Sequence, residues 1–116
     1  MFLSTLRLSL DSRSFGVEIM ARQRYLVGYD ICESKRLRNV HKVMCGYGDP
    51  LQYSVFVCDL DGVELLGMRQ DLAAIIHHNE DSILIVDLGP ARTRGEECFT
   101  FMGVQPLLPT GEAEIV

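Results

Sequence analysis

Tyr25-Leu26-Val27-Gly28-Tyr29-Asp30-Ile31 is the stretch on which the fold turns. Up to Asp30 its side chains are apolar at both phases of a two-residue alternation, the pattern of a strand covered on both faces. Downstream, Ser34 is placed to cap a helix whose apolar residues Leu37, Val40 and Met44 recur at i, i+3 and i+7, and Gly46 and Gly48 end it. Between Pro50 and Leu60, Gln52, Ser54, Phe56 and Cys58 alternate with Leu51, Tyr53, Val55 and Val57, which reads as one bent strand or two short ones. Asp61 and Glu64 have capping-box spacing, and Leu65, Met68, Leu72, Ile75 and Ile76 form a helical stripe as far as about His77. Asn79-Glu80-Asp81 makes a turn, Ser82 to Leu88 is the last strong strand, and Gly89-Pro90 stops it.

The order is strand, helix, strand or strand pair, helix, strand. A small three-stranded parallel unit and the α+β ferredoxin-like β-α-β-β-α-β sandwich both accept it, and the length of the segment favours the sandwich. With both helices on one side, the other face of the sheet is left bare. The first and last strands are apolar on that face too, so the sequence predicts a homodimer formed through the sheets.

The chain has 116 residues, enough for one domain. Residues 1–19 are read as an N-terminal appendage with Met20 as an alternative start, residues 20–90 as the ferredoxin-like domain, and residues 91–116 as a C-terminal tail with an extra edge strand at its end. The first 19 residues are interrupted by Arg7, Asp11 and Arg13, so they contain no continuous signal core, and no apolar run approaches the ~20 residues a membrane helix needs. A cytoplasmic protein without a membrane partner is expected. Cys32, Cys45, Cys58 and Cys98 have neither zinc-finger nor C-x-x-C spacing and read as small buried apolar side chains in a reducing compartment.

Eleven Lys and Arg against 16 Asp and Glu give a net charge of −5, which removes the whole-molecule basic field usual in nucleic-acid-binding domains. A nucleic-acid partner would have to meet a local patch. The basic run Lys35-Arg36-Leu37-Arg38-Asn39-Val40-His41-Lys42 is the place for one: Lys35, Arg38 and Lys42 share a helical face opposite in character to the Leu37, Val40 and Met44 stripe. The plainer reading of that face is a solvated one. Asp30, a carboxylate ending an apolar strand, must be solvated, paired or bound to a cation, which makes it a candidate for hard-metal coordination or simply a cap of the next turn. Ser54 lacks a nucleophile-elbow context, and Gly46-Tyr47-Gly48 follows a helix, so neither serine catalysis nor a dinucleotide site is indicated.

Taken together, Tyr25-Leu26-Val27-Gly28-Tyr29-Asp30-Ile31, the basic helix from Lys35, Gly46-Tyr47-Gly48, Leu51-Gln52-Tyr53-Ser54-Val55-Phe56 and Asp81-Ser82-Ile83-Leu84-Ile85 resemble the small CRISPR-associated endoribonuclease family of the spacer-acquisition module, the partner of the CRISPR integrase. The resemblance spans about residues 22–88. It implies a ferredoxin-like homodimer that bridges integrase dimers and holds spacer DNA. It also implies metal-dependent endonuclease activity on RNA or DNA, with Asp30 of both subunits holding Mg²⁺ at the cleaved phosphodiester. Lys35, Arg36, Arg38 and Lys42 would then bind nucleic acid, and Tyr29, Ser54 and Phe56 would support the site. A non-catalytic scaffold of the same complex, and a ferredoxin-like small-ligand regulator, are the alternatives.

Overall fold

The computed structural model describes residues 21–93 and 98–106. Its elements run β1 (Gln23–Asp30), α1 (Ser34–Cys45), β2 (Asp49–Gln52), β3 (Val55–Leu60), α2 (Gly62–Ala73) and β4 (Ser82–Pro90). The strands form a four-stranded sheet in the order β2-β3-β1-β4, and every paired neighbour is antiparallel. This is the ferredoxin-like arrangement expected from the sequence, with the Pro50 to Leu60 segment resolved into two strands joined at Tyr53-Ser54. The appendage at residues 1–19 and the edge strand at residues 112–116 lie outside the described residues.

Register decides which side chains face the helices. Tyr25 pairs with Cys58, Val27 with Phe56 and Ile85, and Tyr29 with Ile83, all on the helix side. Val40 and Met44 of α1 and Met68 and Leu72 of α2 close over them, and the buried members form one cluster. Each such side chain contributes about 1.5–3 kcal/mol relative to exposure, so this layer is the main source of stability. On the reverse side the same register groups Arg24 with Asp59, Leu26 with Val57 and Val86, and Gly28 with Val55 and Leu84. That face is not uniformly bare, as the alternation suggested. Arg24 and Val57 are fully buried, whereas Leu84, toward the Asp30 end, is 60% exposed. Among the described residues of that face, the one exposed large apolar side chain, Leu84, thus lies in the half of the sheet that carries Asp30.

Arg24 is buried with a partner. Its Nε and Nη2 donate to the two carboxylate oxygens of Asp59 at 2.8 and 3.0 Å, a bidentate fork. Removing either member of a buried pair strands the other, at about 3–5 kcal/mol. Arg22 donates to the Asp59 carbonyl at 2.6 Å and pairs with Glu64 at 2.9 Å.

Several local readings are refined. The N-cap of α1 is Glu33 rather than Ser34, its carboxylate accepting from the backbone N–H of Lys35 and Arg36 at 2.9 Å each. A Glu one residue earlier reaches the same orphan donors and adds negative charge at the positive end of the helix. The capping box of α2 is as expected, with Glu64 N–H on Asp61 at 2.8 Å and Asp61 N–H on Glu64 at 2.9 Å. That helix ends at Ala73, however, and Ile75 and Ile76 pack on the core from the turn that follows. Gly89 does not stop β4. With φ of 106° it lets Leu88 bulge out, shifts the register between Arg24 and Tyr25, and allows pairing to continue to Pro90. Pro50, which lacks an N–H, sits in the edge strand β2. The cysteines also differ from expectation: only Cys58 is buried, Cys32 and Cys45 are exposed, and Cys98 is intermediate.

Gly48 connects α1 to the sheet. A Cβ there would come within 2.5 Å of Sγ of Cys58 and closer still to the carbonyl oxygen of Val57. The obstruction is backbone of β3, which cannot give way cheaply. Gly48→Ala is expected to destabilise the fold by about 1–3 kcal/mol, read as a lower urea midpoint with an unchanged m-value.

Candidate nucleic-acid interface

Asp30 is the last residue of β1, paired with Ser82, and is exposed. By alternation its side chain lies on the face away from the helices, beside the open patch around Leu84. Tyr29 points the other way, into the core. Its hydroxyl donates to the Tyr53 carbonyl at 3.3 Å, which leaves Nδ1–H of His41 as donor of the 2.9 Å bond between His41 and that hydroxyl. Burial, assisted by Tyr53 and Cys45, pushes the Tyr29 phenol up to about 12, so it stays neutral and serves as a fixed hydrogen-bonding post. Ser54 contributes through its backbone: its carbonyl accepts from Tyr29 N–H at 3.1 Å and ties the β2–β3 turn to the end of β1. Phe56 is fully buried and stacks on Tyr29 at 6.2 Å between centroids.

His41 is the residue that the sequence reading passed over. It lies in the basic run, but its ring is turned inward, edge-on to Phe56 at 5.5 Å and stacked with Tyr53 at 5.6 Å. Nothing in its own spacing could have shown this, because the partners come from β1 and from the β2–β3 turn.

The basic run divides in two. Lys35, Arg38 and Lys42 are exposed on α1, and none of them has an ion-pair partner within 4 Å among the described residues. Arg36 is held instead by acidic residues ahead of β4. Its Nε donates to Asp81 at 2.8 Å, and its Nη2 donates to Glu80 at 3.1 Å and to Asp81 at 3.3 Å. The Asp81 carboxylate, fully buried as a side chain, also accepts Cys32 N–H at 2.9 Å and His77 N–H at 2.8 Å. Four protein donors converge on it, with Arg36 foremost, and hold the carboxyl well below the usual carboxylate range. The clamp fastens the β1–α1 loop, and hence the backbone next to Asp30, to the α2–β4 loop. Arg22, just before β1, and Arg24, near its start, are likewise matched to Glu64 and Asp59. Among the described residues, three of the five cations without an ion pair thus share α1, the others being Arg69 on α2 and Arg92 after β4.

No cluster of three or more His, Cys, Asp or Glu suited to a metal ion occurs among the described residues. One exposed carboxylate cannot by itself fix a divalent ion. Two Asp30 carboxylates from two copies, with a phosphate and waters, match the oxygen-ligand set that Mg²⁺ prefers. No helix among the described residues is long and apolar enough to cross a membrane.

The stretch 23–94 matches the family model described as CRISPR associated protein Cas2. The chain is similar to CRISPR-associated endoribonuclease Cas2 1 of Rhodospirillum rubrum, 46% identical over 71 residues that cover 61% of this chain and 70% of that protein. It is also similar to CRISPR-associated endoribonuclease Cas2 of Geobacter sulfurreducens, 46% identical over 67 residues covering 58% of this chain and 70% of that one. Among solved structures, Streptococcus pyogenes Cas2 superposes with a TM-score of 0.61 and 32% identity, covering 69% of this chain and 99% of its own.

A carboxyl held low by its partners stabilises the fold fully above its unfolded value of about 3.9, and that contribution is lost as pH falls below it toward the folded value. Asp81→Asn lacks it at every pH. The variant is therefore expected to be clearly less stable than wild type at pH 7, with the gap narrowing between pH 4 and pH 2 in urea unfolding followed by circular dichroism. A gap of constant size would show that the clamp acts through shape alone.

Proposed function

The chain belongs to the CRISPR associated protein Cas2 family, and from that premise we propose that it is a homodimeric nuclease of CRISPR adaptation that also holds spacer DNA between integrase dimers. The observation that carries this reading is a conjunction: exposed Asp30 ends β1, and Lys35, Arg38 and Lys42, without an ion-pair partner among the described residues, follow on the next helix. A carboxylate that can hold a divalent cation, together with cations that can hold phosphates, suits metal-assisted phosphodiester cleavage. The two relatives above carry the word endoribonuclease in their names, which supports the same reaction class here.

Dimerisation is favoured by the open patch. Two copies meeting face to face around Leu84, Gly28 and Val55 would bury apolar surface and bring the strand ends carrying Asp30 together. The two carboxylates would repel, and a divalent cation such as Mg²⁺ would relieve that repulsion and polarise a phosphate oxygen. In each subunit, the Asp81 clamp and the Tyr29 to Ser54 hydrogen bond keep the strand end rigid, while Tyr29 and Phe56 fill the core behind it. Lys35, Arg38 and Lys42 lie along the phosphates. Arg36, already committed to Asp81 and Glu80, orients the loop and reaches nucleic acid only with what remains of its guanidinium. The domain takes in residues 20–90, and the tail from 91 onward serves integrase docking.

Asp30→Asn preserves shape and removes both charges. It is expected to abolish Mg²⁺-dependent cleavage of oligonucleotides and to give a dimer of equal or higher melting temperature that no longer responds to Mg²⁺. Integrase-dependent spacer insertion should survive. A wild-type protein that never cleaves, yet supports insertion, would leave the scaffold role as the whole function.

Neutralising Lys35, Arg38 and Lys42 together is expected to weaken duplex binding about equally for all sequences. Each lost phosphate contact should flatten the slope of log affinity against log salt by about 0.9. An unchanged slope would make the face a merely solvated one.

A further inference from the structure

Tyr53 occupies the first position of the two-residue β2–β3 turn and is 67% exposed, unusually bare for an aromatic residue on a rigid support. One face of its ring covers His41, nearly parallel to it at 18° and 5.6 Å between centroids. His41 is fixed in turn by the edge contact with Phe56 and by the Tyr29 hydroxyl, while the Tyr53 carbonyl accepts a hydrogen bond from that same hydroxyl. The exposed ring is therefore mounted, through one layer of packed side chains, on the residue that precedes Asp30. The helix that carries His41 also carries Arg38, one turn earlier at i−3, and Lys42, both exposed and without an ion-pair partner among the described residues.

An aromatic ring held flat, open over much of its surface and packed on a helix that also carries exposed cations is suited to binding a single strand of nucleic acid. The cations track the backbone, and an unpaired base stacks on the ring. A double helix cannot use such a platform, because its bases already stack on one another. We propose that Tyr53 is a nucleobase-stacking residue, backed by His41, that receives an unpaired nucleotide of RNA or single-stranded DNA flanking the phosphodiester presented to Asp30. This gives the site a preference for unpaired substrate that phosphate contacts alone cannot supply. It rests on the nuclease reading above and deepens it.

The test compares wild type, Tyr53→Phe and Tyr53→Leu, first checked for equal melting temperature and equal dimer content. Fluorescence anisotropy without divalent metal measures binding to three probes of one length: single-stranded RNA, single-stranded DNA and blunt duplex DNA. Tyr53→Leu is expected to lose about five- to 100-fold in affinity for the single strands and less than twofold for the duplex, with Tyr53→Phe close to wild type. A single-stranded probe carrying 2-aminopurine should show fluorescence quenching that depends on the ring at position 53. Loss on only one of the two single strands would name RNA or DNA as the substrate, and still support stacking. Equal affinity of Tyr53→Leu for the single strands, or an equal loss on duplex, would overturn the proposal while leaving the nuclease reading in place. A wild-type protein that binds none of the probes would overturn both.

Discussion

A strand hydrogen-bonded along both edges has no freedom to slide, and β1 is that strand here. It pairs with β3 on one side and β4 on the other over nearly its whole length. Once its register is set, Tyr25, Val27 and Tyr29 must face the helices, and Arg24, Leu26, Gly28 and Asp30 must face away. The division of the molecule into a packed core and a functional rim follows. Asp30 is exposed because it comes at the first position after the core phase ends, and Tyr29 is buried because it belongs to that phase.

Electrostatics then sorts the cations. In a chain with an excess of acid, most arginines near the strand ends find a carboxylate: Arg22 with Glu64, Arg24 with Asp59, Arg36 with Asp81 and Glu80. These pairs fix loops and close one half of the reverse sheet face. Of the five cations left without an ion pair among the described residues, Lys35, Arg38 and Lys42 stand together on one helix while Arg69 and Arg92 stand singly, so a negatively charged protein still presents a local positive ridge. The ridge is defined as much by where the acids are consumed as by where the bases stand.

How far the sequence could be read depended on how local the determinant was. The two-phase apolar alternation of β1 and the Asp61 and Glu64 capping box are settled by neighbours within a few residues, and both were legible. Glu33 displaced Ser34 as cap because a longer side chain one position earlier reaches the same N–H groups, a contest that propensity alone does not decide. Arg36 looked equivalent to Lys35 and Arg38, since its partners stand 44 and 45 positions further along the chain. His41 and Tyr53 carried no separable signal either. Their stacking exists only because the β2–β3 turn folds back over α1. Gly48 was legible as a turn residue, but its actual constraint is the approach of β3 backbone.

Pro50 has a consequence for assembly. The two outer strands of the sheet are unlike: β2 presents a residue that cannot donate, while β4 has an uninterrupted run of N–H groups from Ser82 to Gly89. A sheet that could be extended on both borders invites copies to add in series, one border to the next, and such growth has no natural end. Blunting one border makes accretion of that kind unfavourable and leaves a single side receptive to an additional strand. The proline thus biases a small, apolar-faced sheet away from fibre formation and toward assemblies of finite size.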